Sequence, residues 1–343
     1  EYPRTEKTKE PSFTQNWLIN NKNKIAQLIV SAREINKFHG TFLSSIMKYQ
    51  VNGRIHGEIN QLRGDNGGTV SGRLSMSNPN LQQVPSRNKD FGPKIRSLFI
   101  PEEGFKWGSF DYSQQEPRMT VHYAASIGDG YEGSNELVQA YQNASADFHQ
   151  TVADLVGIER TQAKTIGLGL MYGMGKNKLA ISLGVSKDEA DELIIKYNKK
   201  VPFVKKLSDR CKYAADEKGV IRTKKGRKCR FDMWETRDFG LHVAEKYEDA
   251  VAKYGKDNIK RAYTYKALNR LIQGSSADQT KQSMLDCFNA GHLPMLQIHD
   301  ELCFNIKDEA HAKEIQKVMQ NAIEFKVPSV VDYGLGDSWG NAK

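Results

Sequence analysis

The sequence predicts an α+β fold, because stretches with helical periodicity and stretches with strand-like alternation occupy separate parts of the chain. Residues 11–49 carry apolar side chains at helical spacing and residues 137–215 are typical of helices, whereas residues 105–110 and 293–306 alternate as strands do. The chain has 343 residues, of which 38% are hydrophobic, and this excludes a predominantly disordered protein. No apolar stretch approaches the ~18 residues of a membrane-spanning helix.

The first predicted element is an amphipathic helix. Its apolar residues recur at intervals of three and four, at Ile25, Leu28, Ile29, Ala32, Ile35, Phe42, Leu43 and Ile46. The pattern fits one helix within residues 11–49, or two helices joined near Gly40. Residues 53–87 are rich in Gly, Asn, Ser and Pro, so we expect strands and loops there.

A strand followed by a helix is predicted next, at residues 105–118. The sequence Gln-Gln-Glu-Pro-Arg begins the helix, because Pro117 is tolerated in the first helical turn and not beyond it. Further along, residues 217–231 predict a basic β-hairpin, and residues 293–306 predict two strands that fold back near His299 and Asp300.

The positive charge of the protein is concentrated in one segment. The formal net charge is +9, but residues 196–230 contain 14 basic and 3 acidic residues, and the remainder is close to neutral. Such a basic stripe is typical of a protein that binds a polyanion, and nucleic acid is the polyanion that we expect. The alternative is a set of solvated helix faces without a partner.

Two acidic positions stand at the ends of predicted strands. Asp111 follows the strand predicted at residues 105–110. Asp300 and Glu301 lie where the two strands predicted within residues 293–306 fold back. Because Asp111 and Asp300 are 189 residues apart, only a fold that sets their strands side by side unites them. Paired carboxylates on neighbouring strands bind the Mg²⁺ ions used in phosphoryl transfer. The alternative is that both are turn or cap residues.

Residues 160–173 predict a helix that binds a nucleoside triphosphate. Arg160, Lys164 and Leu168 follow one another at intervals of four, so they share one helix face about 12 Å long. The two cations suit the phosphates, and the apolar position suits the sugar or base. Gly167 and Gly169 each weaken a helix by roughly 1 kcal/mol, which predicts a close approach to the backbone. The alternative is an ordinary amphipathic helix with two solvated cations.

Five segments, in this order, resemble motifs of the DNA polymerase I family, also called family A. They are SGRLSMSNPNLQQVPSR (71–87), DYSQQEPR (111–118), RTQAKTIGLGLMYG (160–173), ALNRLIQGSSAD (267–278) and QIHDE (297–301). The resemblance runs roughly from Pro11 to the C-terminus. The sequence QQEPR and the compact spacing between the motifs are more similar to phage or prophage members of the family than to its cellular repair enzymes. It implies a right-hand polymerase fold with an antiparallel-sheet palm, helical fingers and a partial helical thumb.

The resemblance also implies how the chain is divided. We expect a partial thumb at residues 1–57 and a first part of the palm, with Asp111, at residues 58–120. The fingers are then expected at residues 121–262 and the second part of the palm, with Asp300, at residues 263–343. Because the chain begins with Glu1 and not with Met, we expect it to be a piece of a longer polypeptide.

Catalytic roles carry over to the matching positions. Asp111 and Asp300 match the two metal-binding carboxylates, and the backbone carbonyl of Tyr112 matches a further ligand. Glu301 matches an accessory acidic residue, and Lys164 is included with the catalytic residues. The expected cofactor is a pair of Mg²⁺ ions, with Mn²⁺ as an alternative.

Substrate-binding roles carry over as well. For the incoming dNTP, the resemblance implies phosphate contacts from Arg160, Lys164 and His149, sugar packing by Leu168, exclusion of a 2′-hydroxyl by Glu116, and stacking at the templating position by Tyr172. For the primer–template, it implies contacts from Arg73, Asn269, Gln273, Gln297 and His299. The chain departs from the family at Leu168, where an aromatic residue is usual, at Gln115 and Pro117, where apolar residues are common, and at Tyr265, where an Arg is usual.

These observations predict a template-directed 5′–3′ DNA polymerase that adds dNTPs to a primer 3′-hydroxyl. Two alternatives remain. A single-subunit RNA polymerase is disfavoured by Glu116, whose carboxylate crowds a 2′-hydroxyl, and a catalytically inactive DNA-binding module is disfavoured by the intact Asp111 and Asp300.

The expected partners are primer–template DNA and dNTPs, with no membrane, and the chain is expected to be a monomer. Accessory replication factors are left open. The four cysteines contain no CxxC pair, which disfavours a zinc ribbon or a disulfide framework and favours a reducing compartment. The expected location is the cytoplasm of a bacterium or a phage-infected cell, and not the secreted state.

Overall fold

The structure, a computed structural model, describes residues 2–342 except 6–7, 65–66, 86–87, 89, 143–146, 239 and 241. Ser86 and Arg87, which end the segment 71–87, therefore lie outside the described residues. The chain opens with α1 (Gln15–Asn20), α2 (Lys24–Lys37), a π-helical segment (Phe38–Ser44) and α3 (Ser45–Lys48). None of the described helices is long and apolar enough to cross a membrane.

The break in these helices lies before α2 and not near Gly40. Asn23 caps α2 by accepting a hydrogen bond from the backbone N–H of Ile25 (2.8 Å), whereas Gly40 lies inside the π-helical segment. The apolar face predicted for α2 is exposed, since Ile25 and Leu28 are 66% and 59% exposed. The reason is that α1 packs on a different face of α2, through Ala26 and Val30.

Short strands and loops follow, as predicted. They are β1 (Gln50–Val51), β2 (Arg54–Ile55), β3 (Glu58–Asn60), β4 (Ser75–Ser77), α4 (Gly92–Arg96) and β5 (Lys106–Tyr112). β1 pairs with β2 and β3 with β4, while β5 joins a larger sheet formed mainly by the end of the chain.

A helical lobe, formed by α5 to α11, follows β5. Its helices are α5 (Gln115–Ala125), α6 (Ser134–Gln142), α7 (Phe148–Val156), α8 (Arg160–Met171), α9 (Lys176–Leu183), α10 (Lys187–Lys200) and α11 (Pro202–Lys218). Large buried side chains from several of these helices, such as Phe148, Tyr197 and Phe203, share one core. The helical prediction for residues 137–215 is confirmed for the residues that the structure describes.

The predicted basic hairpin is formed by β6 (Val220–Arg222) and β7 (Lys228–Arg230), which pair antiparallel. A second small sheet with one helix comes next, as β8 (Trp234–Thr236), α12 (Tyr247–Tyr254) and β9 (Ile259–Arg261). The chain then forms α13 (Ala267–Asn289), β10 (Leu296–Ile298), β11 (Glu301–Ile306), α14 (Glu309–Asn321) and β12 (Val331–Gly336).

The larger sheet is antiparallel throughout and has the strand order β10–β11–β5–β12. One face carries Phe110, Leu302 and Phe304, which pack on residues of α13 and α14 such as Cys287 and Ile315. The strand pair predicted for residues 293–306 is present, with His299 and Asp300 as its two-residue turn. The opposite face of the sheet carries the acidic residues.

Candidate active site

Four acidic residues meet at one end of the sheet. On β5, Asp111 lies directly opposite Glu301 of β11 on one side and Asp332 of β12 on the other. Residues opposed in this way in an antiparallel sheet point to the same face, with Cβ atoms roughly 5 Å apart. Asp300 lies in the adjoining turn, next to His299, whose φ of 56° is left-handed. Strand register therefore unites Asp111 and Asp300, as predicted.

This concentration of negative charge changes the proton affinity of the site. The pKa of Asp111 is raised to about 7, first by the surrounding protein, which displaces water, and then by Asp300, Glu301 and Asp332. The pKa of Asp300 is also raised, mainly by burial, although Arg73 acts in the opposite direction. Carboxylates that resist ionisation in this way are stabilised by a bound cation.

The donor atoms at this end of the sheet fit a hard divalent cation, because they are oxygens. The Tyr112 side chain lies on the opposite face, where its hydroxyl donates to the carbonyl of Met319 (2.6 Å), so only its backbone serves the acidic face. Within the described residues, no three His, Cys, Asp or Glu side chains form a ready-made metal site. The predicted set of two carboxylates and one carbonyl does not require a third side chain.

A hydrogen-bonded cluster connects α5, the helix that follows β5, to the end of α8. Glu116, in the first turn of α5, accepts from Arg73 Nη2 (2.7 Å) and from the Tyr172 hydroxyl (2.5 Å). The pKa of Tyr172 is raised, first by burial and then by Glu116, while a hydrogen bond from Gln273 acts in the opposite direction. Four residues predicted to bind the nucleotide or DNA are thus brought together.

Arg160, Lys164 and Leu168 lie on α8 at the predicted helical spacing, while their contact with phosphate stays a prediction. Arg160 and Lys164 are exposed and Leu168, one turn further on, is half-buried. Arg160 donates from Nε (2.8 Å) and Nη2 (2.6 Å) to Oδ2 of Asp147, the residue that caps α7. The basic end of α8 is therefore tied to the start of α7.

His149 lies beside these cations in the first turn of α7. Its pKa is lowered to about 4, first by burial and then by Lys164 and Arg160, while Asp147 acts in the opposite direction. Its Nδ1 atom is buried and has no hydrogen-bond partner in the described part of the chain. The imidazole is therefore neutral at neutral pH, and any phosphate contact it makes is a hydrogen bond without an ion pair.

The model of DNA polymerase family A matches residues 1–341. This chain belongs to DNA polymerase family A. A solved structure with a TM-score of 0.79 and 27% identity is the "POL domain of Pol1 from M. smegmatis complex with DNA primer-template and dNTP", and the match covers 100% of this chain and 59% of that one. The predicted right-hand polymerase fold, with an antiparallel-sheet palm, helical fingers and a partial helical thumb, is confirmed.

Phage and bacterial polymerases are both similar to this family A chain. The "DNA-directed DNA polymerase" of Pseudomonas phage M6 is 37% identical over 97% of this chain and 54% of its own length. The thermostable DNA polymerase I of Thermus filiformis is 30% identical over 99% of this chain and 39% of its own length. The chain thus spans about half the length of the phage relative and less of the bacterial one.

The glycines of the family A motif in α8 are explained by core packing. A Cβ atom at Gly167 would lie 3.0 Å from the hydroxyl oxygen of Tyr197, and one at Gly169 would lie 3.4 Å from Cδ1 of Leu179. The predicted close approach to the backbone is present and is made by side chains of α10 and α9.

The residues predicted to contact the primer–template have different surroundings. Gln297 is buried, donates to the backbone carbonyl of His299 (2.6 Å) and accepts from Gln82 (2.9 Å), so its amide stabilises the turn that carries Asp300. Asn269 is half-buried, and within the described residues its Oδ1 has no hydrogen-bond partner. His299 is exposed. Contacts of these residues with DNA stay predictions.

The sequence analysis missed three residues of this family A site: Asp332, Asp147 and Gln114. Asp332 has a signal, since Val331, Tyr333 and Leu335 alternate as in a strand and place the aspartate on the polar face. Asp147 could also be found from the sequence, because Asp is a favoured residue at the N-cap of a helix. Gln114 has a left-handed φ of 50° and accepts from the backbone N–H of Phe148 (2.9 Å), a contact that only the folded chain reveals.

Proposed function

We propose that this chain is a template-directed 5′–3′ DNA polymerase that adds dNTPs to a primer 3′-hydroxyl. The observation that carries the proposal is the cluster of Arg73, Glu116 and Tyr172, which ties α5, the helix that follows the strand of Asp111, to the end of the nucleotide-binding helix α8. Membership of family A and the likeness to a polymerase domain solved with primer-template and dNTP support it. Primer–template DNA and dNTPs are therefore the proposed partners, and the chain is proposed to act as a monomer.

DNA polymerases use divalent metal ions. We propose two Mg²⁺ ions, with Mn²⁺ as an alternative, held by Asp111, Asp300 and the carbonyl of Tyr112. Bound divalent cations lower the pKa of a hydroxyl nucleophile and neutralise triphosphate charge. The Glu301 carboxylate accepts from Trp339 Nε1 (3.2 Å), which holds this accessory acid at the edge of the site.

The residues of α8 bind and orient the incoming nucleotide. Arg160 and Lys164 bind the phosphates, and Leu168 packs on the sugar. Neutral His149 adds a hydrogen bond to a phosphate oxygen. A movement of the fingers toward the palm would bring Arg160 and Lys164 onto the triphosphate and complete the site.

Glu116 selects against ribonucleotides in this proposal. Both of its carboxylate oxygens are engaged, one by Arg73 and the other by Tyr172, so the side chain resists rotation away from the sugar. A rigid carboxylate next to the 2′ position crowds a hydroxyl and repels its lone pairs. Tyr172 itself is proposed to stack at the templating position.

The remaining assignments follow the division of the family. We propose the partial thumb at residues 1–57, the palm at 58–120 and 263–343, and the fingers at 121–262. Contacts to the primer–template are proposed for Arg73, Asn269, Gln273, Gln297 and His299. The basic segment 196–230, on α10, α11 and the β6–β7 hairpin, is proposed to hold the DNA backbone near the fingers.

Primer extension on a defined template with Mg²⁺ tests the proposal. We expect extension with dNTPs, little with rNTPs, and none by Asp111→Ala, which should still bind duplex DNA. Asp191→Ala on the exposed side of α10 is the matched control and should extend normally. A preference for rNTPs would favour an RNA polymerase, and duplex binding without extension would favour a binding module.

A further inference from the structure

Asp147 is the acidic residue among the basic side chains of the proposed triphosphate site. Its Oδ2 atom accepts from Nε (2.8 Å) and Nη2 (2.6 Å) of Arg160. Its Oδ1 atom accepts from the backbone N–H groups of His149 (2.8 Å) and Gln150 (3.2 Å). One carboxylate thus joins the first turn of α7 to the first residue of α8.

The geometry leaves the guanidinium of Arg160 available to a ligand. A guanidinium has five N–H donors, and Asp147 uses two of them; among the described residues no other hydrogen bond engages the two donors of Nη1 or the second donor of Nη2. The Arg160 side chain is 46% exposed and that of Asp147 is 28% exposed, so the arginine is the more accessible partner of the pair. Asp147 therefore holds Arg160 at the surface without engaging all of its N–H donors.

The start of α7 is also fastened to the palm. The backbone N–H of Phe148 donates to Oε1 of Gln114 (2.9 Å), and Gln114 stands three residues after Asp111. A short path therefore runs from Gln114, just after β5, through the start of α7 to Arg160, with a hydrogen bond at each end. A long arginine side chain loses rotamer entropy when it is ordered, and the ion pair with Asp147 orders it before any ligand binds.

We infer that Asp147 is a positioning residue for the triphosphate, which acts by orienting Arg160 and so lowers the KM for dNTPs. The inference rests on the proposed function, because Arg160 is taken there as a phosphate ligand. The competing explanation is that Asp147 only caps α7. The two explanations differ, since Asn serves as an N-cap as well as Asp does but offers Arg160 no anion.

The test is Asp147→Asn, measured by single-nucleotide insertion and by equilibrium binding of a dNTP in titration calorimetry. We expect about a tenfold rise in KM and in the dissociation constant, with kcat changed less than about threefold. In an Arg160→Ala background the same substitution should change neither value further, because Asp147 acts through Arg160. Asp191→Asn, which breaks the exposed pair of Asp191 with Lys176 (3.4 Å), is the control and should leave both values unchanged.

Three outcomes would overturn the inference. Unchanged KM in Asp147→Asn would leave only the capping role, and a lower KM would mean that Asp147 withholds Arg160 from the ligand. An equal effect in the Arg160→Ala background would show that Asp147 acts through another group. If the wild type fails to extend primers but Asp147→Asn still weakens dNTP binding, the proposed function fails and the positioning role stands.

Discussion

The acidic end of the palm and the basic face of α8 are assembled in opposite ways. Asp111 and Asp300 are 189 residues apart and meet because β5 and β11 pair in register. Arg160 and Lys164 are four residues apart and meet because a helix repeats every 3.6 residues. The acidic site therefore depends on the whole fold, whereas the basic face needs one helix only.

The two regions also differ in how their charge is balanced. The carboxylates of the palm oppose one another, and the pKa of Asp111 is raised first by burial and then by these neighbours. The cations of α8 have a counter-charge, since Arg160 is paired with Asp147. A bound cation would therefore relieve the repulsion in the palm, whereas Arg160 already has a counter-charge within the protein.

The largest effect is expected from a single charge change in the palm. Asp300→Asn should lower primer extension by about a thousandfold or more, because an amide cannot replace an anionic metal ligand. Asp332→Asn, directly opposite Asp111, should lower it less than about tenfold, since Asp332 is not among the proposed metal ligands. Primer-extension rates at saturating Mg²⁺ check both, and equal losses would contradict the assigned roles.

A change of pH should affect the two regions in opposite directions. His149 has a pKa of about 4 when folded, against 6.5 unfolded, so its contribution to stability is complete above pH 6.5 and is lost as the pH falls through 4. The loss amounts to about 3 kcal/mol. Asp111, with a pKa of about 7 against 3.8, destabilises the fold as the pH rises through 7.

Urea denaturation without divalent cations at pH 8, 6 and 4.5 measures both effects. His149→Gln should remove part of the acid-induced loss, on top of a pH-independent packing cost. Asp111→Asn should be more stable than the wild type at pH 8, with the difference shrinking toward pH 4. Parallel pH profiles for the wild type and either variant would contradict the corresponding pKa shift.

A smaller effect is expected where α8 packs on its neighbour. Gly167→Ala should cost about 1–2 kcal/mol, because the new Cβ would lie 3.0 Å from the Tyr197 hydroxyl. That hydroxyl is buried without a hydrogen-bond partner among the described residues, so Tyr197→Phe should not destabilise the protein. In the Tyr197→Phe background Gly167→Ala should instead gain about 1 kcal/mol of helix propensity. Thermal or urea unfolding checks this, and a cost that persists in the double variant would refute the packing explanation.

The smallest effect is expected at the basic hairpin. Lys225 and Lys228 are exposed on the turn and strand that follow β6. Each substitution by Gln should reduce the slope of log K against log salt by about 1 for duplex binding. Lys313→Gln, exposed on α14, is the control. An unchanged slope in both hairpin variants would place the DNA backbone elsewhere.

Sequence alone predicted what local periodicity encodes and missed what tertiary contacts decide. The common face of Arg160 and Lys164 follows from helical spacing, and the turn at Asp300 follows from strand alternation. Asp332 joins the site only through the register of β12 with β5, and the reason for Gly167 lies in Tyr197, 30 residues away. Which face of α2 is covered depends on α1 and not on the pattern of α2 itself.

The path from the palm to α8 has a mechanical consequence. It contains two joints, the hydrogen bond between Gln114 and Phe148 and the ion pair between Asp147 and Arg160. A pulling force along the path acts on both joints equally. The joint at Gln114 is a bond between neutral groups, which is about half as strong as a charge-assisted one. The joint at Gln114 is therefore the weaker of the two, and α7 is held more firmly to α8 than to the residues that follow β5.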